Sequence, residues 1–304
     1  MHSLITNTTF LLVLYLPLLL LNPSTALAHM QLHFPPALKA SNNPHTIGHP
    51  KVPLYFPFDC CGKKTVYPCG GHLDLLGTSE GKSVISWEAG SIANFSLIGG
   101  TGNHWGGSCQ VGFSIDNGTT FRVATSYEGN CPHRNGGWTN PEAQTFNFTI
   151  PADLPEGNAI FAWNWFNREQ EFNMNCAVVS IKSPTSEPLS YPSLSLSLSS
   201  PSPPSYHYRR GWRRHNHTSS LHLEAPCSRS AAADPSPTYS SPSTMAWKDR
   251  PEMLVADIGN GCLTPHTTAE VKYPNPGPDV VPGDGVYPLV LPTPAQACGY
   301  VAGY

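Results

Sequence analysis

The chain has 304 residues, a formal charge of −3 and only 12% charged residues, against 32 prolines and 26 glycines. With so little charge and no basic patch, the composition excludes a nucleic-acid-binding surface and favours a loop-rich, all-β chain with one core domain and extra segments. Nine cysteines point to disulfides if the chain enters an oxidising compartment.

The first segment supplies that compartment. A twelve-residue apolar run, Phe10 to Leu21, is followed by Ala26-Leu27-Ala28, which predicts a signal peptide over residues 1–28 and a secreted, extracellular protein. The run is too short to span a bilayer comfortably, so no membrane attachment is expected after cleavage. Cleavage after Ala28 would make His29 the first residue. Its α-amine and imidazole would then be two nitrogen donors on one residue, able to clamp one metal ion, and imidazole suits copper. Any leader leaves some residue first, so this observation alone assigns no metal.

Residues 29–183 read as the first globular block. Strands are predicted at Ser83–Trp87, Ile92–Leu97, Cys109–Ile115, Phe121–Tyr127, Phe146–Ile150, Ala159–Phe166 and Phe172–Ile181. Asn117-Gly118 marks a hairpin, because both residues tolerate positive φ. Pro155-Glu156-Gly157-Asn158 turns the chain into the next strand, along which Phe161, Trp163 and Trp165 share a face by period two. No amphipathic helix of useful length is visible. The expected fold is an antiparallel immunoglobulin-like or fibronectin-like β-sandwich with long loops. Sequons at Asn94, Asn117, Asn147 and Asn216 are candidate glycosylation sites.

Residues 184–247 change character. The run Ser-Leu-Ser-Leu-Ser-Leu-Ser-Ser-Pro-Ser-Pro-Pro (193–204) is low-complexity, and with the basic stretch at Arg209, Arg210, Arg213 and Arg214 it reads as a disordered insert rather than a contact for an anionic surface. Residues 248–304 are too rich in proline and glycine for regular structure and read as an extended strap packing on the sandwich.

A metal clamp starting at His29 needs a second donor. His33 would face the same side of a strand, but at about 13 Å by the rise per residue it cannot share an ion with His29. His45 and His49 lie in a proline-rich loop, while His72 and His133 follow Cys-containing turns. His104 stands apart, in Gly99-Gly100-Thr101-Gly102-Asn103-His104-Trp105-Gly106-Gly107-Ser108-Cys109-Gln110. Glycines on both sides let the backbone approach a metal or a substrate surface closely.

These pieces together resemble fungal lytic polysaccharide monooxygenases, most closely the chitin-active auxiliary activity family eleven. The resemblance is carried by His29-Met30, the His104 loop running into Gly107-Ser108-Cys109-Gln110-Val111, Glu128-Gly129-Asn130-Cys131-Pro132, and Trp163-Asn164-Trp165-Phe166-Asn167-Arg168 with Met174-Asn175-Cys176-Ala177. Val255-Ala256-Asp257-Ile258, Gly261-Cys262 and Pro274-Asn275-Pro276-Gly277 look like that family's closing segment. The resemblance covers about 29–183 and 248–280.

The resemblance implies copper held by His29, through amine and imidazole, and by His104. It implies an axial tyrosine where this chain has Asn173, with Phe172 as its neighbour; such a departure should spare binding and alter reactivity. Glu171 falls where the family has an acid close to the metal, and is otherwise a solvated strand carboxylate. Trp105 would stack on a sugar ring or pack in the interior. The implied partners are an insoluble, chitin-like polysaccharide surface and an external electron donor, and the protein is expected to be a monomer. Oxidative cleavage of a β-linked glycan is the implied reaction; the alternative is a non-catalytic copper-binding or glycan-binding protein on the same scaffold. Disulfides Cys69–Cys176 and Cys109–Cys131 follow from the resemblance, and Cys262 is expected to tie the strap to the core. Adjacent Cys60 and Cys61 are not expected to bridge at their short Cα spacing, and Cys227 is the natural orphan.

Overall fold

Hairpins with short turns force antiparallel neighbours, whereas strands reached by long connections may enter a sheet in either direction. Both cases occur in the computed structural model of the protein, which describes residues 29–50, 53–100, 102–184 and 245–301. The expected leader, most of the Ser/Pro-rich stretch, Cys227 and the sequon at Asn216 lie outside these residues. The strands are β1 (Met30–Phe34), β2 (Ser86–Glu88), β3 (Ile92–Gly99), β4 (Ser108–Ser114), β5 (Arg122–Glu128), β6 (Thr145–Thr149), β7 (Gly157–Phe166), β8 (Phe172–Lys182), β9 (Glu270–Val271), β10 (Val280–Pro282) and β11 (Leu289–Val290). Among the described residues the helical segments are short 3-10 turns, the longest at Cys69–Leu75, and no helix is long and apolar enough to cross a membrane.

The seven predicted strands fall on β2 to β8. Asn117 and Gly118 turn β4 into β5 with φ of 59° and 85°, as the hairpin reading required. The sheets are a three-stranded β1-β3-β6, a six-stranded β10-β5-β4-β7-β8-β2 and a two-stranded β11-β9. The protein is therefore mostly β, but the purely antiparallel expectation is corrected. In the six-stranded sheet β2 runs parallel to β8 and β10 runs parallel to β5, because neither pair is joined by a short turn.

Strand β7 shows how both faces of that sheet are filled. Ala159, Phe161, Trp163 and Trp165 point into one cluster, which holds Met30 and Leu32 of β1, Phe95 of β3, and Phe146 and Phe148 of β6. Phe161 stacks on Phe148 at 5.4 Å and meets Trp87 edge-on at 5.4 Å, so this aromatic layer joins the three-stranded sheet to the six-stranded one. Ile160, Ala162 and Phe166 point the other way, into a cluster completed by tail residues Met253, Leu254, Ala256, Val271 and Tyr273. A sheet buried on both faces loses the alternation of polar and apolar residues, which is why β4 and β8 read as nearly continuous buried runs.

The tail follows the sheet by hydrogen bonding. Val123 N donates to Pro251 O (2.9 Å) and Met253 N to Phe121 O (2.8 Å). Leu254 is gripped by two buried amides, its N donating to Gln110 Oε1 (2.8 Å) and its O accepting from Asn164 Nδ2 (3.0 Å).

Four disulfides are present among the described residues: Cys60–Cys61, Cys69–Cys176, Cys109–Cys131 and Cys262–Cys298. Two expectations are corrected. Cys262 pairs within the tail, with Cys298, so apolar packing and hydrogen bonds rather than a disulfide bind the tail to the core. Cys60 and Cys61 do bridge, at a Cα separation of 3.8 Å. They lie in a tight turn in which Asp59, Cys61 and Gly62 all have positive φ, and this backbone shape accommodates a bridge between neighbours.

Candidate metal centre

Strand pairing assembles the site from three distant stretches. Met30 of β1 pairs with Gly99 of β3, and Gly100 N donates to His29 O (3.2 Å). His29 is thereby fixed beside the start of the loop that carries His104. That loop ends at Ser108 of β4, which pairs with Phe166 of β7, which in turn pairs with Phe172 of β8. The β7–β8 turn at that end of the sheet presents Glu171.

The His104 loop is held by more than its glycines. His104 and Trp105 adopt φ of 47° and 60°, a left-handed conformation that costs a non-glycine residue energy and persists only where surroundings enforce it. Asn103 Nδ2 donates to His133 O (2.8 Å), Trp165 Nε1 to Gly106 O (3.1 Å) and Arg134 Nη1 to Trp105 O (2.6 Å). Gly107 N donates to Glu270 Oε1 (2.9 Å). A Cβ on Gly107 would lie 2.4 Å from Phe166 O and 2.6 Å from Trp165 Nε1, so glycine is needed there for close approach.

His29 and His104 meet with ring centroids 5.4 Å apart at an interplanar angle of 37°. Phe56 packs on His29 at 5.5 Å and Trp165 on His104 at 5.8 Å. Glu171 Oε2 lies 3.6 Å from His29 Nε2 and 3.4 Å from His104 Nε2, and Asn167 Nδ2 donates to it at 2.6 Å. His29 Nδ1 and His104 Nε2 are both buried without a hydrogen-bond partner. Buried polar atoms are seldom left so, and two unpartnered imidazole nitrogens in one place are what a nitrogen-rich metal site would satisfy. Nδ1 is also the ring nitrogen that can close a six-membered chelate with the α-amine of its own residue. With the α-amine of His29 freed by cleavage before it, amine and two imidazoles would make a donor set that fits a copper ion.

Burial pushes His104 down to about 4; Glu171 opposes the shift and His29 adds to it. Burial tends to raise Glu171, but contact with His29, the Asn167 hydrogen bond and the two imidazoles together hold it below the ordinary carboxylate range. The sign for stability follows from linkage. A buried neutral histidine with a depressed pKa resists the proton that the unfolded chain accepts at its usual 6.5. Metal-free protein should therefore lose stability as pH falls from about 6.5 to about 4, and His104→Gln should flatten that slope in denaturant titrations at stepped pH. An unchanged slope would contradict the assignment.

The other expected site residues are placed as follows. Trp105 is 65% exposed and stands beside His104 at the surface. Asn173 is buried, with Nδ2 donating to Met30 O (3.0 Å) and Tyr55 O (3.1 Å); its amide ties β8 to β1 and to the loop before Cys60. Its replacement by tyrosine should therefore cost stability as well as alter any metal, since two buried carbonyls would lose their donor. His33 Nδ1 lies 3.3 Å from Ser96 Oγ, and His133 stacks on Phe146 at 4.2 Å, so neither joins the cluster. Phe56, Arg134 and Glu270 escaped the sequence reading: they touch or brace the site from loops and strands whose proximity only the fold creates. The sequon residues Asn94, Asn117 and Asn147 are exposed.

No family model matches the chain. It is 34% identical over 180 residues to AA11 family lytic polysaccharide monooxygenase A of Aspergillus fumigatus, covering 57% of this chain and 74% of that protein. It is 37% identical over 99 residues to AA11 family lytic polysaccharide monooxygenase B of Aspergillus fumigatus, and equally to an AA11 family lytic polysaccharide monooxygenase of Aspergillus oryzae, in each case covering 29% of this chain and 24% of the relative.

Proposed function

The chain belongs to the AA11 family of lytic polysaccharide monooxygenases, and from that premise we propose that it is a secreted, monomeric copper enzyme that oxidatively cleaves chitin or a related β-linked polysaccharide. The observation that carries the reading is the pair of buried nitrogens that make no hydrogen bond, His29 Nδ1 and His104 Nε2, the latter 3.4 Å from Glu171 Oε2. With the α-amine freed by cleavage after Ala28, they make a three-nitrogen set around one ion. Copper held there would supply one-electron redox chemistry for activating dioxygen or peroxide, with electrons from an external donor.

The chain's own residues do the rest. Phe56 and Trp165 fix the two imidazole planes by packing. Glu171, oriented by Asn167, offers a carboxylate oxygen within 3.6 Å of both rings and can position a small oxygen species or its proton. Trp105 offers an exposed ring on which a sugar of an insoluble chain can stack. We infer that the fold is an immunoglobulin-like or fibronectin-like sandwich, strapped by 248–304 and interrupted by a 184–247 insert.

A second reading, metal or glycan binding without turnover, is favoured by one observation: the amide of Asn173 is spent on Met30 O and Tyr55 O, where the family resemblance implies an axial tyrosine. Mass spectrometry of soluble products from chitin, incubated with copper-loaded protein and ascorbate, separates the two. Oxidised oligosaccharides are expected. Copper binding with no oxidised product would establish the second reading.

A further inference from the structure

We propose that Cys60 and Cys61, once reduced, form with His29 Nε2 and Glu171 a second metal site, one that takes a soft tetrahedral ion such as zinc or monovalent copper. Cys60 Sγ lies 3.8 Å from His29 Nε2. One donor atom from each of His29, Cys60, Cys61 and Glu171 lies within 4.8 Å of all the others. Tetrahedral zinc places its donors about 3.5 Å apart, given bonds of roughly 2.0–2.3 Å, so the imidazole, carboxylate and thiolates must draw in by about 1 Å, while the two sulfurs part once their bond is broken. Two thiolates, one imidazole and one carboxylate are a set that selects zinc or monovalent copper. The site uses the ring nitrogen of His29 opposite to Nδ1, and so does not depend on His104 holding copper.

The thiols must first be released, and exposure says which bridge opens. Cys61 is exposed and Cys60 half-buried, while the cysteines of the other three disulfides are buried. Attack on a disulfide needs access to a sulfur, so a reductant in solution reaches Cys60–Cys61 first. With a water-soluble phosphine, the phosphorus attacks one sulfur and the S–S bond breaks. Water then supplies the oxygen of the phosphine oxide and both thiol protons, so that the disulfide gains two electrons and the phosphine loses two.

Metal-stripped full-length protein, mildly reduced with the phosphine and then alkylated, should gain label at Cys60 and Cys61 alone by peptide mapping, over an unreduced control that sets aside any label on unpaired Cys227. Unalkylated reduced protein titrated with cobalt(II) should develop thiolate-to-cobalt charge-transfer absorption that saturates at one equivalent and vanishes on adding zinc. The band should be absent from unreduced protein and from Cys60→Ser/Cys61→Ser, and it should persist in His104→Ala, which separates this site from the copper reading. In His29→Ala cobalt affinity should fall at least tenfold. No band in reduced wild type, a band surviving in the double serine variant, undiminished affinity in His29→Ala, or labelling of a buried disulfide ahead of Cys60–Cys61 would each overturn the proposal.

Discussion

His104→Ala should lose copper affinity by more than the roughly 10–100-fold that removal of a mere supporting hydrogen bond costs a metal site. The variant deletes one of the two buried imidazole nitrogens that make no hydrogen bond among the described residues and leaves the amine and Nδ1 of His29 as a two-donor chelate. A chain that retains Ala28 before His29 should lose affinity comparably, because its α-nitrogen is then an amide and cannot donate. Binding should weaken in acid for wild type, since amine and imidazoles must be unprotonated to ligate. His33→Ala and His133→Ala should bind as wild type does, because those rings are engaged with Ser96 and Phe146. Isothermal titration with copper(II) on correctly processed protein decides the matter: wild-type affinity in His104→Ala would refute His104 as a ligand.

Much of this was legible in the sequence because the informative signals were local. Asn117-Gly118 announced its own turn, and the alternation of Phe161, Trp163 and Trp165 announced the inner face of β7. The glycines around His104 marked a loop whose backbone must pass close to something, which proves to be Phe166 O and Trp165 Nε1. What stayed hidden was long-range. Strands β9, β10 and β11 are two or three residues long and exist only because partners elsewhere in the chain pair with them, so no window of sequence carries their period. The Cys262–Cys298 pairing is hidden because spacing alone does not fix connectivity. Cys60–Cys61 closes through a turn that Cα spacing alone does not reveal. Phe56 and Glu270 reach the His29–His104 site only through the fold.

Glu270→Ala should show how far the ligand loop depends on the tail. Glu270 is 2% exposed. Its Oε1 accepts from Gly107 N (2.9 Å), Asn130 N (3.1 Å) and Arg134 Nη2 (3.1 Å). Arg134 passes the restraint on, donating to Trp105 O at 2.6 Å while Asp284 takes its other edge at 2.7 and 2.8 Å. Removing one partner of a buried ion pair costs about 3–5 kcal/mol. Asp284 still neutralises Arg134, which favours the lower end, whereas two stranded backbone N–H groups push the other way. A fall in Tm of roughly 10 °C is expected for a domain of this size, while Ala at exposed Glu142 should shift it hardly at all. Glu270→Gln keeps an oxygen for the two N–H groups but no charge for Arg134, and should fall between the two. If the network positions His104, copper affinity must drop along with stability, by about 10–100-fold, even though Glu270 is not among the proposed donors. A Glu270→Ala protein that melts early yet binds copper at wild-type strength would show that Glu270 supports the fold alone and that the loop keeps His104 in place through Asn103 and Trp165.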